Sequence, residues 1–171
     1  ILTADPVNAG ESAALGEAES EGLEIDITGE LSDSVDMVFS YAYVDAGTST
    51  DLYNFDWAVN LPAGSELVNV PENSANLMLT KQFNINGADA SLGFTINYVD
   101  DRLGETIDPT YRLPEYTLVN LFGSYQLNDQ VKLTMNIDNL FDEKHYVSSY
   151  HKWWTTPGTP TSYVMGVTYA F

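Results

Sequence analysis

The sequence predicts an all-β fold. It reads as a portion of an antiparallel transmembrane β-barrel, with roughly seven to eight up-and-down strands joined by short periplasmic turns and long extracellular loops. Three observations predict it. Apolar Val131, Leu133, Met135 and Ile137 alternate strictly with polar Lys132, Thr134, Asn136 and Asp138, the period of a strand with one face in an apolar phase. Every second connection is long, which a soluble meander has no reason to require; outer-membrane barrels pair tight turns with reaching loops. Aromatics gather at both ends of the segments, with Tyr41, Tyr43, Tyr98, Tyr116, Phe141 and Tyr163 toward the loops, and Phe83, Tyr125, Tyr169 and Phe171 toward the turns. Two girdles around an aliphatic band are what bilayer interfaces select.

In chain order, residues 1–3 read as the end of a strand, and residues 4–16, with Pro6, Gly10 and Gly16, as a loop. Residues 21–31 put Leu23, Ile25, Ile27 and Leu31 on one face and Glu24, Asp26, Thr28 and Glu30 on the other. Ser32-Asp33-Ser34 is turn chemistry, and residues 35–44 continue with Val35, Met37, Phe39, Tyr41 and Tyr43. A long excursion over 45–69 follows. Residues 72–83 resume the alternation, with Lys81 on the apolar side near the strand's end, where its stem reaches toward headgroups. Asn86-Gly87 is the strongest short-range hairpin cue. Residues 90–99 carry Leu92, Phe94, Ile96 and Tyr98 outward, and 100–114 is a loop. The strand over 116–127 turns at Asn128-Asp129-Gln130 into the one starting at Val131; a loop over 142–162 precedes the terminal strand, which ends on the apolar face at Phe171.

Composition excludes several classes. No apolar run approaches the ~18 residues of a membrane helix, and with no Cys there is neither a disulfide framework nor a thiolate metal site. A charge of −19, from 25 Asp and Glu against 6 Lys and Arg, argues against nucleic acid, which needs a basic face. The acids are spread among the strands; they suit either solubility in a salty habitat or a field that repels anionic ligands. A soluble β-sandwich is the competing architecture. The line of Glu24, Asp26 and Glu30 along one strand face favours a water-filled lumen or a polar plug instead.

The run Asn136-Ile-Asp-Asn-Leu-Phe-Asp-Glu-Lys-His-Tyr146, a long aromatic loop and a strand closing on Tyr169-Ala-Phe171 resemble the C-terminus of TonB-dependent outer-membrane receptors. Glu21-Gly-Leu-Glu24, Val70-Pro71 and Arg112-Leu-Pro-Glu-Tyr-Thr-Leu-Val119 match in the family's order and extend the resemblance over nearly the whole chain. The resemblance implies that residues 1–171 form the C-terminal portion of a plugged 22-stranded barrel in the outer membrane of a Gram-negative bacterium. The signal peptide, TonB box and plug domain are then expected upstream. It implies no enzyme activity and no resident cofactor, with iron present only inside a transported chelate. Implied partners are a ferric siderophore, outer-membrane lipid, the TonB energy-coupling complex acting through the plug, and the barrel-assembly machinery at Tyr169 and Phe171. Receptors for haem, cobalamin or a sugar, and a passive porin or adhesin barrel, are the alternatives.

The candidate ligand-binding residues are loop aromatics: Tyr53, Phe55 and Trp57 in the first long loop, and Tyr150, His151, Trp153 and Trp154 in the last. Aromatics projecting from loops suit a bulky, partly apolar chelate; packing of loop against loop is their structural alternative. The two histidines, His145 and His151, have no Gly-x-Ser-x-Gly elbow to serve, and His145 reads as a surface residue at a strand end. Asp45 and Asp100-Asp101 show no calcium-loop spacing and read as solvated acids. The acidic loops favour a neutral or cationic, hydroxamate-type chelate over a polyanionic catecholate complex.

Overall fold

The computed structural model describes residues 1–14 and 16–171; Leu15, within the predicted 4–16 loop, lies outside the described residues. Seven long strands form one antiparallel sheet: β1 (Ala18–Ser32), β2 (Val35–Thr48), β3 (Asn73–Ile85), β4 (Ala88–Val99), β5 (Tyr116–Gln126), β6 (Val131–Asp138) and β7 (Ser162–Tyr169). Each strand pairs with its neighbours in sequence, so the sheet is an open up-and-down meander from β1 to β7.

Register aligns the apolar phases into continuous rows. Ile27, Phe39, Leu77, Ile96 and Val119 lie side by side across five strands, and Met37, Leu79, Phe94, Leu121, Ile137 and Tyr163 form the next row. The opposite face carries Asp26, Ser40, Asn76 and Asn97 in one row and Glu30, Asp36 and Thr80 in another. Because the side-chain period is two, a one-residue slip between any pair would mix the faces. The sheet has almost no core of its own. Ile25, Leu92 and Val167 are exposed, and of the four buried apolar residues among those described, Leu52, Leu103 and Leu113 sit in the loops. A wide apolar face left open is a surface for another apolar phase.

The turn end is built from local chemistry. Asn86 and Gly87 both take positive φ, 54° and 89°, the pair a type I′ hairpin requires, and the Gly87 N–H donates to Asn84 Oδ1 at 2.7 Å. At the next turn Asn128 Oδ1 accepts the N–H groups of Gln130 and Val131. On the inner face Phe122 lies across Gly93, where any Cβ would collide with its ring. Glycine there admits the aromatic.

Four expectations are revised. Leu2–Ala4 is a strand, but it pairs with Ser12–Ala14 in a ribbon within the loop first read as irregular, so the described wall has seven strands. β1 and β2 run beyond the predicted limits because Glu19 and Asp45 interrupt the apolar phase while pairing continues. Tyr116 does not join the girdle. It pairs with Val99 on the inner face, opposite in phase to Val119 and Leu121. His145 is buried rather than on the surface, at 8% exposure; its ring lies 4.8 Å from that of Tyr116 on a tilted plane and sits against Gly158, where no Cβ has room.

Candidate functional site

The three long connections and the segment before β1 lie at one end of the sheet, and each folds into a short β-ribbon. Besides Leu2–Ala4 with Ser12–Ala14, these are Leu52–Asn54 with Val59–Leu61, Arg102–Leu103 with Arg112–Leu113, and Tyr146–Ser149 with Thr155–Pro157. Two- to four-residue strands are too short for alternation to register. Their loop reading from sequence followed from that.

In the first long loop, strand alternation buries Leu52 and Asn54 and turns Tyr53 outward. Asn54 Oδ1 accepts the N–H groups of Asp56 and Trp57 at 3.0 and 3.2 Å, which sets the direction of the Trp57 side chain. Thr3 Oγ1 accepts the Phe55 N–H at 2.7 Å. In the last long loop, residues 150–154 close a tight turn through Trp154 N–H to His151 O at 2.7 Å and Tyr150 N–H to Trp154 O at 3.2 Å.

Five of the seven predicted residues meet. His151 stacks on Trp57 with centroids 5.6 Å apart and a 27° interplanar angle, and Trp153 lies 4.8 Å from it on a tilted plane. Tyr150 contacts Trp57 at 5.3 Å and Trp154 at 6.2 Å. Trp153 is 80% exposed and Trp154 65%, while His151 is only 8% exposed, so the indoles stand above a buried imidazole. Tyr53 and Phe55 are not brought in; they stack edge-to-face on each other at 4.8 Å.

The floor beneath the rings uses residues that sequence reasoning missed. Glu105 is 1% exposed. Its Oε2 accepts the Lys152 N–H at 2.8 Å and lies 3.5 Å from His151 Nε2. The Trp153 N–H donates to His151 Nδ1 at 3.3 Å, and Nε2 is the ring nitrogen that faces this carboxylate. Arg102, 2% exposed, donates from Nη2 to the carbonyls of Tyr146 and Val147, with its guanidinium 5.6 Å from the Tyr116 ring. Asn69 holds the first loop to the last: its side chain donates to Ser149 O at 2.7 Å and accepts the Ser149 N–H at 2.8 Å, like one rung of a ladder. A Glu or Arg in a loop and an Asn before Val-Pro carry no periodic signal, so nothing local marks them.

Two loop cations, Arg112 and Lys152, are engaged by carboxylates. Arg112 bonds Asp101, and Glu66 at 2.8 Å; Asp101 first and Glu66 next hold its guanidinium above the ordinary range. Lys152 Nζ lies 3.9 Å from Glu105 and 3.8 Å from Asp108. The Thr110 hydroxyl and N–H, bonded to Asp108, keep that carboxyl below the usual range. A cavity of about 890 Å³ opens beside the cluster, with Trp57 and Tyr150 on its wall, Leu67, Leu103 and Ile107 as apolar lining, and Asp56 and Glu66 as its carboxylates. Its size is that of a small-molecule site. No three His, Asp or Glu side chains converge on a metal geometry among the described residues.

The Asn136–Tyr146 run finishes β6 and then builds the stem of the last loop. Asn139 and Asp142 take positive φ, 50° and 53°, a conformation Asn and Asp tolerate best among side-chain-bearing residues. Buried Asn139 donates to Glu143 O and Thr159 O and accepts the Glu143 N–H, while Asp142 accepts the Thr161 N–H. Together they fasten both stems of the last loop.

Known proteins match this arrangement. The family model "TonB dependent receptor-like, beta-barrel" matches residues 1–140. The "Metal-pseudopaline receptor CntO" of Pseudomonas aeruginosa is 38% identical over 98% of the chain, and the "Ferrioxamine B receptor" of Salmonella typhimurium is 27% identical over 92%. The crystal structure of the siderophore receptor PiuA from Acinetobacter baumannii superimposes with a TM-score of 0.77 at 24% identity, over 98% of this chain and 24% of that one. The chain spans 23% and 22% of the length of those two curated relatives.

Proposed function

The chain belongs to the TonB-dependent receptor β-barrel family of outer-membrane proteins, and from that premise we propose that it is part of an energy-coupled receptor importing a metal–siderophore complex. It supplies seven strands of the barrel wall and a share of the extracellular capture surface. The observation that carries the reading is the convergence of Trp57 with Tyr150, His151, Trp153 and Trp154 from loops distant in sequence. The matched relatives are named as receptors for metal-pseudopaline and ferrioxamine B. A plug with its TonB box acts from the remainder of the receptor, and the terminal strand with Tyr169 and Phe171 engages the assembly machinery.

The preferred complex is neutral or cationic, of hydroxamate type. Asp56 and Glu66 line the cavity, and Arg112 and Lys152 are already paired with carboxylates. A polyanionic chelate would be desolvated beside these acids, and no Lys or Arg among the described residues lines the cavity to offset the cost. Binding of ferric tris-hydroxamate and tris-catecholate complexes to the full receptor tests both halves. Tighter hydroxamate binding, weakened about tenfold or more by Trp57→Ala or Trp153→Ala, is expected. Nanomolar catecholate binding that ignores both substitutions would overturn the proposal.

A further inference from the structure

Lys81 is an anomaly of the outward face. Register sets it in the row Val35–Lys81–Leu92–Gly123–Met135–Met165. From the Leu23–Tyr43 pair at the loop end to the Val131–Tyr169 pair at the turn end, it is the only charged side chain of that face among the described residues. No carboxylate lies within ion-pair distance of its ammonium among the described residues. A cation on the lipid side becomes costlier with depth, so it needs an anion within reach of its stem. The next row toward the turns, Phe83–Ala90–Tyr125–Leu133–Val167, bears the lower aromatic girdle. It lies about 7 Å along the strand from Lys81, which sets Lys81 at the edge of the headgroup layer on the turn side.

The same row holds a second feature. Gly123 has no side chain, and the wall dips there into a groove of about 420 Å³, bordered by Tyr125, Leu133, Met135, Met165 and Val167. By register all five point outward, toward lipid. The groove is almost wholly apolar and lies two strands from Lys81, about 10 Å across the sheet. An unpartnered cation at headgroup level beside an apolar slot directed into the membrane is complementary to one amphiphile, an anionic headgroup with an acyl chain.

We propose that this face binds one glycerophospholipid of the periplasmic leaflet, its phosphate on Lys81 and one acyl chain in the groove over Gly123. The site rests on the outer-membrane setting of the wall and not on the chelate reading, so its test needs no chelate.

The test is native mass spectrometry of the full receptor, released from nanodiscs of phosphatidylethanolamine with a minor share of phosphatidylglycerol. The wild type should keep one phospholipid through mild activation. Lys81→Met should lower the retained fraction about fivefold, the change expected for one lysine at an anionic lipid surface, and Lys81→Arg should restore it. Val167→Phe, which fills the slot and leaves the charge, should also lower retention. Equal retention in Lys81→Met, or a retained mass belonging to lipopolysaccharide, would overturn the proposal. So would loss in Val167→Phe with none in Lys81→Met, because the phosphate would then have no role.

Discussion

Replacing Asn69 by alanine should release the last loop from the first. The Asn69 side chain makes two hydrogen bonds to the backbone of Ser149, 80 residues away, at 2.7 and 2.8 Å, and its own N–H donates to Leu103 O at 2.9 Å. Ser149 is buried, at 4% exposure, so the truncation leaves a donor and an acceptor without partners, at about 1–3 kcal/mol each. Asn69 also holds φ at 65°, where alanine adds roughly 1 kcal/mol that asparagine largely avoids. The sum is about 3–7 kcal/mol of local docking energy, enough to detach residues 146–154 within an otherwise folded barrel. Tyr150 and His151 follow Ser149 directly, so the stacking on Trp57 is lost with it. Asn69→Gly separates the terms, since it relieves the backbone cost but not the missing hydrogen bonds. The assay is amide hydrogen exchange of the full receptor in micelles, followed on the peptide spanning 146–154. Exchange should rise by more than tenfold in Asn69→Ala and nearly as much in Asn69→Gly, with the wall strands unchanged. If both variants protect that peptide as well as the wild type, the clamp does not hold the loops together and the reasoning fails.

Three further outcomes are expected. Gly158→Ala forces a Cβ into the His145 ring and should cost about 1–3 kcal/mol, whereas in a His145→Ala background it should cost less than ~0.5 kcal/mol; thermal melts read by heat-modifiable migration measure the coupling. Glu105→Leu strips the acceptor from the Lys152 N–H and should speed protease cleavage between 150 and 154, with Glu105→Gln, which keeps an acceptor oxygen, much milder; equal cleavage in the two would refute the role. Asp100 is held below the usual carboxylate range by the Asn73 amide, which donates to it at 2.7 Å, then by the Asp101 N–H and the Tyr98 hydroxyl. A depressed carboxyl adds stability above its ordinary pKa of about 3.9 and loses it as pH falls through the folded value. Loop protection should therefore hold from neutral pH to about pH 4 and fall off below it. Asp100→Asn should remove that acid-dependent part, seen as a flatter hydrogen-exchange profile between pH 5 and about pH 3.

Much of the wall was legible from residue order. Alternation at Val131–Ile137, the Asn86-Gly87 turn and the unequal connections are properties of neighbouring residues, and they determine strand, face and hairpin without distant partners. Parity also carried information that position at a strand end hid: Tyr116 is out of phase with Val119 and Leu121 and so faces inward. The Asn136–Tyr146 run marked the family before its work as a loop fastener was visible. Tertiary structure decided which loops touch. That Trp57 meets His151 while Tyr53 and Phe55 stay apart, that Glu105 is buried under the rings, and that Asn69 binds Ser149 all depend on loop tips brought together by strands far apart in the chain. Ring stacking and single hydrogen bonds have no period along a sequence. Only the register of the wall, which sets the spacing between loop stems, brings those groups within reach.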